Sequence, residues 1–285
     1  MLLPKIEALG TVWHIEVLDD SAGTAKLQTF TENFLESFEQ KYSRFRSDSW
    51  LSILNQKKEF NSPDSEFVTL LNESLRYYEI TDGVFNVAVG EKMERSGYDA
   101  TYSFIKTENK TDEVPVLSDV LTVTSEQIIL QEGKIDLGGI GKGFVIDSLT
   151  KYYQDTLGLQ SFVINGGGDI YATHDNGSPI TVTLTHPTNR ELAIGTVELF
   201  NQGFAASSPY VRAWKDKNTN EEQNHLHTSN AIASYVVSDT VCDADVWATT
   251  LAIDPTQTPE GVKSLLLKDS KIIRADDIFN LNTRE

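Results

Sequence analysis

The alternation of apolar and polar positions divides this chain into short strands and a few longer helices. Thr11 to Leu18 reads Thr-Val-Trp-His-Ile-Glu-Val-Leu, which predicts an opening strand. Leu27, Phe30, Phe34, Leu35 and Phe38 then share one helical face, predicting an amphipathic helix from about Thr24 to Lys41. Ser62-Pro63 reads as a helix start, a cap followed by proline at the first helical position. Phe67, Leu71, Leu75 and Tyr78 carry that helix to Ile80. Val120 to Leu130 predicts a hairpin, with Ile128-Ile129-Leu130 as a short buried strand. Val145, Leu149, Tyr152 and Tyr153 recur at helical spacing up to Leu157-Gly158, where Gly158 suits a C-cap. Phe162 to Ile164, Ile180 to Leu184, Ile194 to Leu199, Tyr235 to Val237 and Ile272-Ile273 read as further strands. Helices are predicted to open at Asp243, running through Leu251, and to span about Pro259 to Leu267. Regular βαβ units are few, so the class is α+β, a mixed, largely antiparallel sheet core with packed helices, over residues 1–285 as a single domain.

Between these elements lie the stretches that carry chemistry. Lys134 to Asp147 holds Gly138, Gly139, Gly141 and Gly143 at a strand-to-helix junction, bracketed by Asp136 and Lys142. Such backbone lets a ligand approach closely or adopts positive φ, and N–H groups at a helix start favour a phosphate. A tight structural turn explains the glycines equally well. Gly143 follows Lys142 where a Walker A loop needs Ser or Thr, and the glycine spacing is not that of a dinucleotide fingerprint. A second cluster, Asn165-Gly166-Gly167-Gly168-Asp169, ends a strand and suggests close approach or a nest of N–H groups. Tyr42 to Ser49, with two arginines and an aromatic, reads as an exposed turn, and Thr107 to Pro115 as a charged insertion.

Asp245 and Thr249 lie four apart in a helical pattern, so their oxygens share a face. A carboxylate with a hydroxyl suits a hard cation such as Mg²⁺; a helix cap at Asp243 or Asp245 with Thr249 packed inside is the bland alternative. Asp245 is expected to be exposed and dispensable for stability. His225 and His227, two apart in an extended polar segment, would face one side, and one of them suits a general base.

Charge narrows the partners. Lys and Arg number 24 against 42 Asp and Glu, a net charge of −18, which argues against nucleic acid or an anionic membrane. The one cysteine, Cys242, forms no disulfide within the chain and gives no zinc cluster. The opening apolar run is too short for a signal peptide and no stretch suffices for a membrane span, so a cytoplasmic protein without a membrane anchor is expected.

Taken in order, the segments resemble the FAD:protein FMN transferases, the ApbE family. Leu9-Gly10-Thr11 stands where the family has Met-Gly-Thr, and Ser43 to Ser49 matches its Ser-x-Tyr-Arg-x-x-Ser loop. Thr81 to Val87 matches Thr-Asp-Gly-x-Phe-Asp-x, and Asp136 to Gly143 its central signature. Asn165 to Asp169 resembles its Gly-Gly-Asp motif, and Ala244-Asp245 to Leu251 its Ala-Asp-x-x-x-Thr-x-Leu metal motif. The resemblance implies an ApbE-like, T-fold-like architecture and an enzyme that binds FAD and Mg²⁺. Such an enzyme transfers FMN to a Ser or Thr hydroxyl of an acceptor protein carrying a flavinylation motif and releases AMP. It implies that Asp245, Thr249 and the Gly139 carbonyl hold Mg²⁺, and that Asp136 and Lys142 contact FAD. Leu9, Phe45, Phe85, Asn86 and Val87 would line the flavin and adenine sites, and His225 would activate the acceptor hydroxyl. The chain departs from the family where Asp-Pro should follow the histidine and where Asn86 replaces an aspartate. Those departures bear on acceptor recognition and transfer rate. They leave open an FAD-cleaving hydrolase that makes FMN and AMP, or a non-catalytic flavin-binding protein.

Overall fold

The computed structural model describes residues 1–19, 24–107, 113–228, 230 and 232–282, apart from the side chains of Thr24, Ala25 and Arg190. In chain order, β1 (Ile6–Ala8), β2 (Thr11–Val17), α1 (Thr24–Tyr42), α2 (Trp50–Lys57) and β3 (Glu59–Asn61) come first. Next are α3 (Ser65–Ile80), α4 (Gly90–Arg95), α5 (Leu117–Val120), β4 (Leu121–Val123), β5 (Gln127–Leu130) and α6 (Gly141–Asp155). Then β6 (Phe162–Gly166), β7 (Asp169–Thr173), β8 (Ile180–His186), β9 (Asn189–Leu199) and β10 (Gln202–Ser207) follow. The last are β11 (Ala213–Lys215), β12 (Glu222–Asn224), β13 (Ile232–Ser238), α7 (Val241–Ile253), β14 (Lys263–Lys268), β15 (Lys271–Ala275) and β16 (Phe279–Leu281). The class is α+β and its sheets are antiparallel, as the pattern predicts. The chain forms two compact units: Met1–Glu36, Lys142–Val211 and Thr228–Glu285 make the first, Ser37–Gly141 and Arg212–His227 the second.

The first unit is built on an eight-stranded sheet in the order β1-β2-β6-β7-β10-β13-β14-β15. Along β13, Ile232 and Val236 face one cluster with Ala244, Trp247, Ala248 and Leu251 of α7. Ala233, Tyr235 and Val237 face the other way, with Val182, Leu184, Val197 and Leu199 of the small sheet β16-β9-β8. A strand covered on both sides loses its alternation, and β13 is buried throughout. The same effect overturns one sequence expectation. Lys263 to Lys268 is a strand, not the end of a helix from Pro259. Leu265 and Leu267 enter one cluster and Leu266 the other, so three consecutive leucines mimic no period at all. α7 is apolar on nearly every side, with ten buried residues, including Asp245. A helix of that kind belongs in a core.

The second unit carries α2 to α5 and two small sheets, β3-β5-β4 and β11-β12. The predicted hairpin is present, Leu121 pairing with Leu130. The predicted cap at Ser62 is not. Asp64 caps α3, accepting the Phe67 N–H at 2.8 Å, so the helix starts after Pro63 instead of at it. Lys41 Nζ also reaches Asp64 at 2.7 Å, an anchor that a local pattern does not record. α2 goes unannounced in the sequence pattern because it is only eight residues long; Ser49 caps it, accepting from Ser52 N at 3.0 Å. Of the charged insertion, residues 108–112 lie outside the described residues.

Candidate active site

In the first unit, α6 and α7 meet at their N-terminal ends. Gly143 lies in the first turn of α6, and a Cβ there would come within 2.6 Å of Cys242 Cα and 2.7 Å of the Val241 carbonyl. Only glycine admits that approach. Its N–H donates to Asp245 Oδ2 at 3.2 Å. Asp147, one turn further along α6, accepts the N–H groups of Val241 and Cys242, each at 2.9 Å. Thr240, not Asp243 or Asp245, caps α7, taking the Asp243 N–H at 3.1 Å. Three N–H groups at the start of α7 thereby find acceptors.

Asp245 is 6% exposed, against the expectation of an exposed carboxylate. Lys142 Nζ lies 3.6 Å from Asp245 Oδ2 and ion-pairs with Asp169. Lys142 therefore stands where two buried carboxylates converge, and Thr249 is half-buried one turn beyond Asp245. Oxygen ligands gathered around a cation fit Mg²⁺, which also keeps water and substrate phosphate in its shell. No group of three or more His, Cys, Asp or Glu is placed to hold a metal among the described residues. Burial pushes the Asp147 carboxyl up to about 6, despite the two N–H groups it accepts, with Asp243 and Asp245 adding to the rise. The glycines of Asn165 to Asp169 make a hairpin turn between β6 and β7, with Gly167 at φ 76 and Gly168 at φ 108. Leu9, in the turn joining β1 and β2, also has positive φ, at 53.

The second unit places the other resemblance-derived residues. Asp136 pairs with Arg44 Nε at 2.6 Å, both side chains largely buried, and accepts the Gly138 N–H at 2.8 Å. Its own N–H binds the Val87 carbonyl at 2.8 Å. The Arg44 guanidinium lies 4.2 Å from the centroid of Phe45 and 5.1 Å from that of Tyr98, and Nη2 donates to the Tyr98 carbonyl. Phe45 stacks on Tyr102 at 5.3 Å, and Tyr98 on Trp214 at 5.2 Å. Phe45 and Tyr102 remain exposed. Phe85 and Val87 are buried, so that turn offers its backbone and Asn86. Asn86 already bonds the Pro115 carbonyl and the Ala88 N–H. Gly139 is half-buried beside the turn in which Gly141 N reaches the Leu137 carbonyl at 2.8 Å.

His225 and His227 do not lie in an extended segment. They follow β12 in a turn, and His227 takes φ 49, which breaks the two-residue repeat. His225 Nδ1 sits 3.3 Å from the Arg212 carbonyl. A carbonyl only accepts, so this contact is a hydrogen bond in the tautomer that carries the hydrogen on Nδ1 and leaves Nε2 as the basic nitrogen. His227 Nε2 instead contacts Met93 Sδ at 3.0 Å. Ser229 of this segment lies outside the described residues.

Sequence reasoning quoted the stretches that hold Arg44, Asp147 and Asp169 but gave these three residues no role of their own. Asp147 closes the glycine stretch four residues after Gly143, a helical spacing that points both to one face. No helix is long and apolar enough to cross a membrane among the described residues.

Comparison with known proteins identifies the family. The model of the ApbE family matches residues 9–268. The FAD:protein FMN transferase of Haemophilus influenzae is 27% identical over 231 residues, covering 72% of this chain and 64% of that protein. The chain thus spans under two thirds of that relative's length. The FAD:protein FMN transferase of Salmonella typhimurium is 24% identical over 282 residues, 90% of this chain and 79% of its own. The solved ApbE protein of Thermotoga maritima superposes with a TM-score of 0.86 at 18% identity, covering 97% of each chain. The flavin transferase ApbE of Vibrio cholerae gives 0.70 at 20% identity, covering 98% of this chain and 94% of its own. These structures share the fold, and the match of the family model over residues 9–268 shows that this chain belongs to the ApbE family.

Proposed function

We propose that the chain is a Mg²⁺-dependent FAD:protein FMN transferase. The observation that carries this reading is the family match over residues 9–268, whose relatives are named for that activity. Asp245 and Thr249 supply oxygen ligands to Mg²⁺, with the Gly139 carbonyl as the third ligand implied by the family motif. When bound, the ion offsets charge on the pyrophosphate and on departing AMP. Lys142 holds the carboxylates of Asp169 and Asp245 together. The Phe45 and Tyr102 rings present stacking area to a flavin or adenine, beside an Arg44–Asp136 pair that fixes the loop. His225 Nε2 takes the proton of the acceptor Ser or Thr hydroxyl. The hydroxyl oxygen bonds to the FMN phosphorus, the bond from phosphorus to the bridging oxygen breaks, and AMP leaves.

The test is incubation with FAD, Mg²⁺ and a peptide carrying a Ser/Thr flavinylation motif, read by mass spectrometry. Peptide that gains FMN supports the proposal; free FMN without modified peptide identifies a hydrolase, and unchanged FAD a binding protein. Asp245→Asn, which keeps the buried shape, should abolish Mg²⁺-dependent turnover. His225→Ala should slow transfer by about 100-fold with FAD binding retained, the usual scale for a lost general base. His227→Ala should do much less, and the reverse ranking would place the base elsewhere.

A further inference from the structure

We infer that Asp147 is a positioning residue for Asp245, setting the approach of α7 on α6 and through it the metal carboxylate. The inference rests on the proposed role of Asp245 as a Mg²⁺ ligand. Asp147 and Gly143 lie one turn apart on α6, and both address the start of α7. Each Asp147 oxygen accepts one N–H, from Val241 and Cys242. Two converging donors need two acceptor atoms on one short side chain, which a carboxylate has and an amide lacks. Asp245 follows Val241 by one helical turn, so any slip of the first N–H pair moves Asp245 relative to Gly143 N and Lys142. Gly143 controls the same distance from the other side, since its missing side chain sets how near the Cys242 backbone can come. A buried acid at this place is costly, and Asp243 and Asp245 nearby make it costlier.

The test compares wild type, Asp147→Asn and Gly143→Ala, each with FAD present and no acceptor peptide. Mg²⁺ is titrated by calorimetry, and FAD affinity is measured separately in chelator. Asp147→Asn loses one acceptor and turns an amide N–H towards a backbone N–H; Gly143→Ala pushes α7 away while leaving Asp147 intact. Both should weaken Mg²⁺ binding by about 10- to 100-fold, the range seen when a ligand's supporting partner is removed, with FAD affinity in chelator unchanged. A purely structural role would lower Tm and leave Mg²⁺ affinity of the folded protein where it was, which overturns the inference. Should Asp147→Asn fail to fold, Asp147→Ser, which keeps one acceptor, is titrated instead and decides by the same criterion. Wild-type protein that binds no Mg²⁺ overturns the metal assignment and this inference together, whereas normal wild-type binding with unshifted variants overturns only the inference.

Discussion

The two glycine clusters look alike in sequence and do opposite things. In Asn165 to Asp169 the glycines supply conformation: Gly167 and Gly168 have positive φ, and β6 turns back into β7 across the Gly166–Asp169 pair. The Asn165 side chain closes that turn by accepting the Gly168 N–H at 2.8 Å. In Asp136 to Gly143, by contrast, Gly138, Gly141 and Gly143 do not have positive φ. There the need is proximity, clearest at Gly143, where a helix lies against the position a side chain would occupy. The first cluster in the chain is also held by charge, Asp136 to Arg44, whereas the second ends on Asp169, which takes up Lys142. A glycine-rich stretch therefore signals that a Cβ is unwelcome, and only the fold says whether torsion or a neighbour forbids it.

Four changes test that contrast, beginning with the largest effect. Asp136→Ala should cost about 3–5 kcal/mol in urea unfolding, because it strands a buried guanidinium. A loss below about 1 kcal/mol would mean that Arg44 finds another partner or solvent. Gly143→Ala distinguishes proximity from conformation by sign. A helical glycine with room around it gains up to about 1 kcal/mol on change to alanine, whereas overpacking against backbone costs roughly 1–3. Destabilisation is expected here. Gly168→Ala meets nothing within 4 Å and should lose only about 1–2 kcal/mol, the strain of positive φ. Equal losses at both sites would erase the distinction.

The last test is a pH dependence at the junction of α6 and α7. The Asp147 carboxyl is raised in the folded chain from 3.8 to about 6. Below the lower value both folded and unfolded chains hold the proton. Between the two values the folded chain holds more protons, so stability falls as pH rises through this window and is level above it. Asp147→Asn lacks that component. The stability of wild type relative to the variant should therefore drop from about pH 4 to about pH 6.5 in matched urea titrations, and a constant difference would refute the shift.

Much of the fold was legible in the chain's own periodicity. The opening strand, the helix from Thr24, the hairpin at Val120 to Leu130 and the α+β class follow from it, because each element has one dry face and one wet face. The family was legible too, since its motifs occur in order along the chain. The sequence also placed Asp245 and Thr249 on one helix, from spacing alone. Tertiary structure decided the rest. Lys263 to Lys268 became a strand because sheets and helices cover both its faces and erase the period. Asp64 rather than Ser62 became the cap, with Lys41 anchored on it from another helix. Asp147 meets Cys242 across 95 residues of chain, and Arg44 meets Asp136 from a different loop. Local pattern reports which side of an element is dry; it does not report which distant backbone or charge comes to rest against it.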